Sequence, residues 1–207
     1  MEKLDLKKQY KAYYNAKNKP ELLIIEKAQF LSITGIGDPS GKVFSHKVQA
    51  LYATAYAVKF LCKALNNDFV VAKLQGQWSF DENKHKGLSM EEASLKVPRS
   101  EWNYRIMIRM PEFVTREQLI SAIQTVVTKK QIQLATDIEF YEMEEGKVVQ
   151  MLHVGPFANE PETLKQIQEY MKTNNLKRNG LHHEIYLSDF NKIVPHKLKT
   201  ILREPVK

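Results

Sequence analysis

A chain of 207 residues is long enough to bury a sizeable core and should form one domain or two closely fused halves. Its hydrophobic share of 43% and charged share of 27% are those of a soluble globular protein, and no apolar run is long enough to span a bilayer. The net charge of +7 comes from scattered lysines with no recognition motif beside them, which argues against nucleic acid as a partner.

The opening stretch, Met1 to Lys8, lacks the apolar core of a secretion signal, so the expected location is the cytoplasm. Residues 1–20 read as a basic N-terminal arm and residues 21–207 as a single domain. Lys27 to Gly35 has the composition of a strand and ends in the turn-rich run Gly35-Ile36-Gly37-Asp38-Pro39-Ser40-Gly41. This run is not a phosphate loop, because Ile36 stands where its first glycine should be and Val43 where its hydroxyl should be. From Ser45 onward Val48, Leu51, Tyr52, Ala55, Val58, Cys62 and Leu65 recur at the spacing of one helical face, and Asn66-Asn67-Asp68 ends the pattern. Cys62, the single cysteine, excludes an internal disulfide and lies on that stripe, as a buried hydrophobe rather than a nucleophile does. Val70 to Phe80 and Trp102 to Met110 read as two more strands, separated by a polar segment, Asp81 to Arg99, with the character of a lid or a mobile linker.

Thr115 to Gln118 caps a linking helix, about residues 115–130, after which the order repeats. Lys147 to Gly155 is a strand; Asn159, Pro161 and Glu162 open a helix with Leu164, Ile167 and Met171 on its stripe; His182 to Ser188 and Leu198 to Arg203 are strands. The half-repeats are about 21–112 and 145–207. The expected fold is α+β: pseudo-duplicated strand-helix-strand-strand units in an antiparallel sheet, with helices on one face and a ligand groove on the other.

Strand alternation points His182, Glu184, Tyr186 and Ser188 one way and Ile185 and Leu187 the other. With helices over Ile185 and Leu187, Glu184 and Tyr186 look into the groove. A carboxylate withdrawn from water beside aromatic rings serves as a general acid or base near neutral pH, and Tyr186 is placed to donate a hydrogen bond. Matching the halves pairs Gly76-Gln77-Trp78 with Glu184-Ile185-Tyr186, so a glycine stands opposite the acid and leaves room for a ligand. Trp78, Trp102 and Phe157 are candidates for stacking on that ligand, Tyr52 and Tyr56 for the edge of the groove, and Glu160 and His182 for polar contacts. His182 and His183 project to opposite faces and His85 lies in a polar loop, so neither a metal centre nor a cofactor is expected.

Several stretches carry a family resemblance together: Gly35-Ile36-Gly37-Asp38-Pro39, Ala55-Tyr56-Ala57-Val58-Lys59, Trp102 to Met110, Leu152-His153-Val154-Gly155-Pro156-Phe157, Glu160-Pro161, His183 to Asp189 and Thr200 to Val206. On these the chain resembles, over nearly its whole length, the GyrI-like small-molecule-binding family, which is similar to the effector-binding domains of AraC-type and MerR-type regulators. The resemblance implies a tandem duplicated sheet with a central groove, ligands that are flat, aromatic or cationic, and a key strand glutamate falling on Glu184. It also implies that some stand-alone members hydrolyse cyclopropane-bearing genotoxins with a carboxylate and aromatic groove residues. Gln75 stands where the family often has an acid before Gly-x-Trp, so no role passes to that position. The resulting expectation is a stand-alone hydrolase of xenobiotic compounds with Glu184 as acid/base. The alternative is a non-catalytic protein that sequesters aromatic or cationic compounds, or one that acts on DNA gyrase. The basic charge argues against a DNA-mimicking gyrase inhibitor, and the missing DNA-binding module argues against a regulator.

Overall fold

The computed structural model describes residues 3–207. In chain order its helices and strands are α1 (Leu6–Gln9), β1 (Glu21–Ile25), β2 (Ala28–Ile36), α2 (Lys42–Ala64), β3 (Leu74–Ser79), α3 (Met90–Lys96), β4 (Asn103–Met110), α4 (Arg116–Lys130), β5 (Glu139–Met143), β6 (Gly146–Val154), α5 (Glu160–Thr173), β7 (His182–Tyr186) and β8 (Lys199–Pro205). The strands form one eight-stranded antiparallel sheet in the order β1-β6-β8-β7-β3-β4-β2-β5. The duplication is plain in that order: β2-α2-β3-β4 and β6-α5-β7-β8 are equivalent units, joined where β3 pairs with β7. One further strand extends each unit at the outer edge, β5 on β2 and β1 on β6.

The seam between the units sets the site. Gly76 pairs directly with Glu184, and Trp78 with His182. On the flanks, β8 brings Leu202 opposite Glu184 and β4 brings Tyr104 opposite Trp78.

The groove does not lie where alternation placed it. Helices α2, α4 and α5 sit on the face that carries Trp78, Tyr104, Ile106, Ile108, Tyr186 and Leu202, the same face as Glu184. Ile185 points instead into a second core with Phe30, Met107, Val148 and Ile201, covered by Leu6, Tyr13, Tyr14 and Ala16 of the N-terminal segment. The sheet is therefore buried on both sides, and alternation alone cannot say which side carries the helices. The groove opens between α2 and α5 on the helical side.

The N-terminal segment is held by a buried polar cluster rather than by its lysines. Arg203, fully buried, donates to Glu145 (2.8 Å), to Gln150 (2.8 and 3.2 Å) and to the carbonyl of Tyr13 (3.0 Å), and stacks over the Tyr13 ring. Burial opposes ionisation of Glu145, but His183 and Arg203 outweigh it and hold its pKa down to about 2. Gln75 lies in this cluster, accepting from the Tyr13 hydroxyl at 2.6 Å, on the side of the sheet away from the groove.

Local signals explain most of the elements. Thr115 and Gln118 form a reciprocal capping box at the start of α4. Ser89 and Glu92 do the same for α3, which folds the 81–99 segment in part and buries Met90 and Ala93. At α5 the expected box is absent: Asn159 makes no side-chain cap bond, and a 3-10 turn, Phe157–Asn159, leads into the helix. β3 begins at Leu74 rather than at residue 70: its ladder with β4 starts at the Leu74–Ile108 pair, and Phe69 forms a bridge with Leu4 of the N-terminal segment instead. Cys62 is buried, as its stripe position implies.

Candidate functional site

A cavity of about 660 Å³ opens between the two units, within the range of small-molecule sites. Its floor is the seam of the sheet, with Leu74, Trp78, His182, Glu184 and Tyr186. The first two turns of α2 supply Phe44, Ser45, Val48 and Gln49 on one wall; α5 supplies Glu160 and Leu164 on the other. Met90 and Ser94 of α3, with Arg99 and Trp102, close one end, and Phe157, Phe190 and Asn191 line the other side.

Aromatic rings pack around the cavity, Phe44 stacked on Trp78 and the others edge to face. Trp78 meets Trp102 at 6.4 Å and Phe44 at 6.0 Å between centroids, while Tyr186, Phe157 and Phe190 form a mutual trio at 5.9 to 6.2 Å. Such a box presents ring faces and edges to a flat guest. His153 positions part of it: its ring nitrogens contact the Thr163 hydroxyl (2.9 Å) and the Pro156 carbonyl (3.1 Å), tying the start of α5 to the turn that carries Phe157 and Glu160.

Along the floor the polar groups are linked. Trp78 Nε1 donates to the Tyr186 hydroxyl (3.2 Å), which donates to Glu184 Oε2 (2.7 Å). Glu184 Oε1 lies 3.3 Å from His182 Nε2, and His182 Nδ1 bonds Glu204 Oε1 at 2.7 Å. The room that Gly76 leaves opposite Glu184 is filled by the protein itself: a methyl there would meet Trp78 Nε1 at 2.9 Å and the Tyr186 oxygen at 3.1 Å. Glycine thus permits the Trp78 to Tyr186 bond instead of making space for a ligand.

Three charge states stand out. Burial acts to strip the proton from His182, but Glu204, together with hydrogen bonding to Glu184, overrides it and pushes the imidazolium pKa up to about 10. Burial, reinforced by the nearby Glu184 carboxylate, drives Glu160 well above the ordinary carboxylate range and so favours its protonated form. One of its oxygens, Oε1, is buried with no hydrogen-bond partner. Burial and then Glu184 also raise Tyr186, which keeps its hydroxyl proton.

Of the residues singled out from sequence, Glu184, Tyr186, Trp78, Trp102, Phe157, Glu160 and His182 all line the cavity. Tyr52 and Tyr56 do not: the α2 residues of the cavity wall end at Gln49, and Tyr56 is 44% exposed on the outer side of the helix. Phe44, Phe190 and Glu204 escaped notice. Glu204 extends the alternation of Thr200 and Leu202, one step past the point where the last strand was expected to stop.

A family model, the GyrI-like small molecule binding domain, matches residues 18–207. The chain belongs to the GyrI-like family. An uncharacterized conserved protein of Listeria innocua is 37% identical, with 99% of this chain and 100% of that one covered, and superposes with a TM-score of 0.87. Two structures from the same organism described as hydrolases are 36% and 37% identical, each with a TM-score of 0.84; 99% and 100% of this chain and all of theirs are covered. No curated protein matches. Among the described residues of this GyrI-like chain, no helix is long and apolar enough to cross a membrane.

Proposed function

We propose that this protein binds flat, electrophilic aromatic compounds in the cavity and opens a strained cyclopropane conjugated to a carbonyl by adding water. The observation that carries the reading is the floor of the site, where Trp78, Tyr186 and Glu184 are hydrogen-bonded in series, with Glu160, whose burial favours its protonated form, lining the same cavity. Glu184 removes a proton from water, and the water oxygen bonds to a ring methylene. The ring carbon–carbon bond breaks, and its electron pair passes through the conjugated system to the carbonyl oxygen. That oxygen takes a proton from Tyr186 or Glu160. Where Tyr186 is the donor, its bond to Glu184 returns the proton from base to acid, so the enzyme ends as it began. The 36–37% identity to Listeria proteins described as hydrolases supports the class of reaction.

A second reading is retained on one observation. The unpartnered, buried Oε1 of Glu160, with Glu184 beside it and aromatic walls around it, suits capture of a cation without chemistry.

Glu184→Gln separates the two. With a spirocyclopropyl cyclohexadienone as probe and ring opening followed by mass spectrometry, hydrolysis requires turnover to fall by about two to four orders of magnitude while affinity is largely kept. Capture alone requires that the parent show no turnover and that the variant lose affinity for cationic ligands selectively. A folded variant that turns over and binds like the parent removes Glu184 from both readings.

A further inference from the structure

The linked floor does not stop at Glu184. His182 is 1% exposed and sits between two carboxylates, Glu184 on its own strand and Glu204 one register step beyond the His183–Arg203 pair of β7 and β8. Glu204 is itself buried, and its other oxygen, Oε2, has no hydrogen bond; the nearest cation is Arg178, with Nε at 3.6 Å. Glu204 lines a second, smaller cavity of about 140 Å³ between α3 and α5 that shares Met90 and Leu164 with the first. Glu204 therefore has no part in the wall of the main cavity but reaches it through one imidazole.

We propose that Glu204 is a positioning residue: by holding Nδ1 of His182 it sets the plane of the ring, and the ring in turn fixes the direction in which Glu184 presents its carboxylate to the cavity. The proposal rests on the reading of Glu184 as the general base. Glu184 has two anchors on the floor, Tyr186 at Oε2 and His182 at Oε1. Without the Glu204 carboxylate the ring loses its short, charge-assisted hydrogen bond and with it the force that keeps Nε2 directed at Glu184 Oε1, since that longer 3.3 Å contact holds the ring only weakly. Glu184 then hangs from Tyr186 alone. A base displaced by about an ångström costs on the order of a hundredfold in rate, whereas binding of the flat ligand depends on the aromatic walls and is spared.

An ion pair that merely clips β7 to β8 would affect stability and not the chemistry of the folded fraction. The experiment uses the full chain, the spirocyclopropyl cyclohexadienone probe, and the variants Glu204→Gln, Glu184→Gln and the double variant. The expected result is a fall in kcat of about ten- to a hundredfold for Glu204→Gln with KM little changed. The double variant should be no slower than Glu184→Gln, since Glu204 acts only through that carboxylate. A folded Glu204→Gln protein with parental kcat overturns the proposal, and so does a double variant slower by the full product of the two effects. Full turnover by Glu184→Gln overturns instead the reading beneath it, and a parent with no turnover does the same. A measurement on the unmodified protein covers the case in which Glu204→Gln does not fold. Imidazole nitrogen and proton resonances of His182, whose titratable neighbours are Glu184, Glu204 and the more distant Glu160, should show a strongly downfield Nδ1 proton bound to a carboxylate. A freely exchanging Nδ1 proton overturns the proposal.

Discussion

Gly76 shows how one missing side chain organises the site. Its strand neighbour Trp78 and the cross-strand Tyr186 lean over it to make the 3.2 Å bond that begins the polar series. We expect Gly76→Ala to force these rings apart, because the added methyl would sit 2.9 Å from Trp78 Nε1, closer than packed atoms allow. Overpacking of this kind costs about 1–3 kcal/mol. The specific outcome is a loss of kcat/KM larger than the loss of thermal stability explains, together with altered tryptophan emission. Parental emission and kinetics in the folded variant would show that the Trp78 to Tyr186 contact is dispensable.

At the level of elements, α3 is the least expected part of the wall. A capping box at Ser89 and Glu92 converts a polar stretch into a short helix, and that helix presents Met90 and Ser94 to the cavity. Loss of the cap by Ser89→Ala should cost about 1 kcal/mol. Since α3 touches the ligand space and none of the reacting groups, KM should rise with kcat nearly unchanged; a parental KM would show that α3 does not shape binding. The same box was readable in the sequence, as Ser89-Met90-Glu91-Glu92, but the charged flanks masked it. The repeated strand-helix-strand-strand order was legible because apolar periodicity is a local property, and so was the common face of His182, Glu184 and Tyr186. The side on which the helices lie was not. It follows from the burial of both faces, and the N-terminal cover over Ile185, His183 and Arg203 is built from contacts nearly the length of the chain apart. Tyr52 and Tyr56 were misplaced for a similar reason: helical spacing gives a face but not the neighbour that the face meets, and only the N-terminal turns of α2 reach the cavity.

On the scale of the whole molecule, the duplication supplies two equivalent strands at the seam, and function depends on their being unlike. Identical glutamates at the paired positions 76 and 184 would confront two carboxylates; glycine at one leaves a single acid and brings Trp78 and Tyr186, the equivalent residues two steps along, into contact. A separate charge cluster lies on each face of β7, His182 with Glu184 and Glu204 in front and His183 with Glu145 and Arg203 behind. These clusters make stability depend on pH in a definite sense. The Glu145 pKa falls from its ordinary 4.5 to about 2 on folding, so its contribution is complete above 4.5 and is lost as pH drops toward 2. The His183 pKa is lowered, chiefly by burial, so protonation of the unfolded chain below 6.5 adds to the loss on the acid side. The His182 pKa rises from 6.5 to about 10, so its contribution is complete below 6.5 and is lost as pH climbs through 10. Raised tyrosines, Tyr13, Tyr14 and Tyr186, add to the alkaline loss only above their ordinary 10.0. Glu160, raised by burial from its ordinary 4.5, contributes fully below 4.5 and loses that contribution as pH rises past it, offsetting the His183 gain, so urea midpoints measured across pH should be highest between 4.5 and 6.5 and decline on both sides. In Glu204→Gln the stretch from 6.5 to 10 should flatten, whatever the variant's overall stability, because the largest source of the His182 shift has gone. An alkaline decline as steep as the parent's would show that His182 is not held protonated by Glu204.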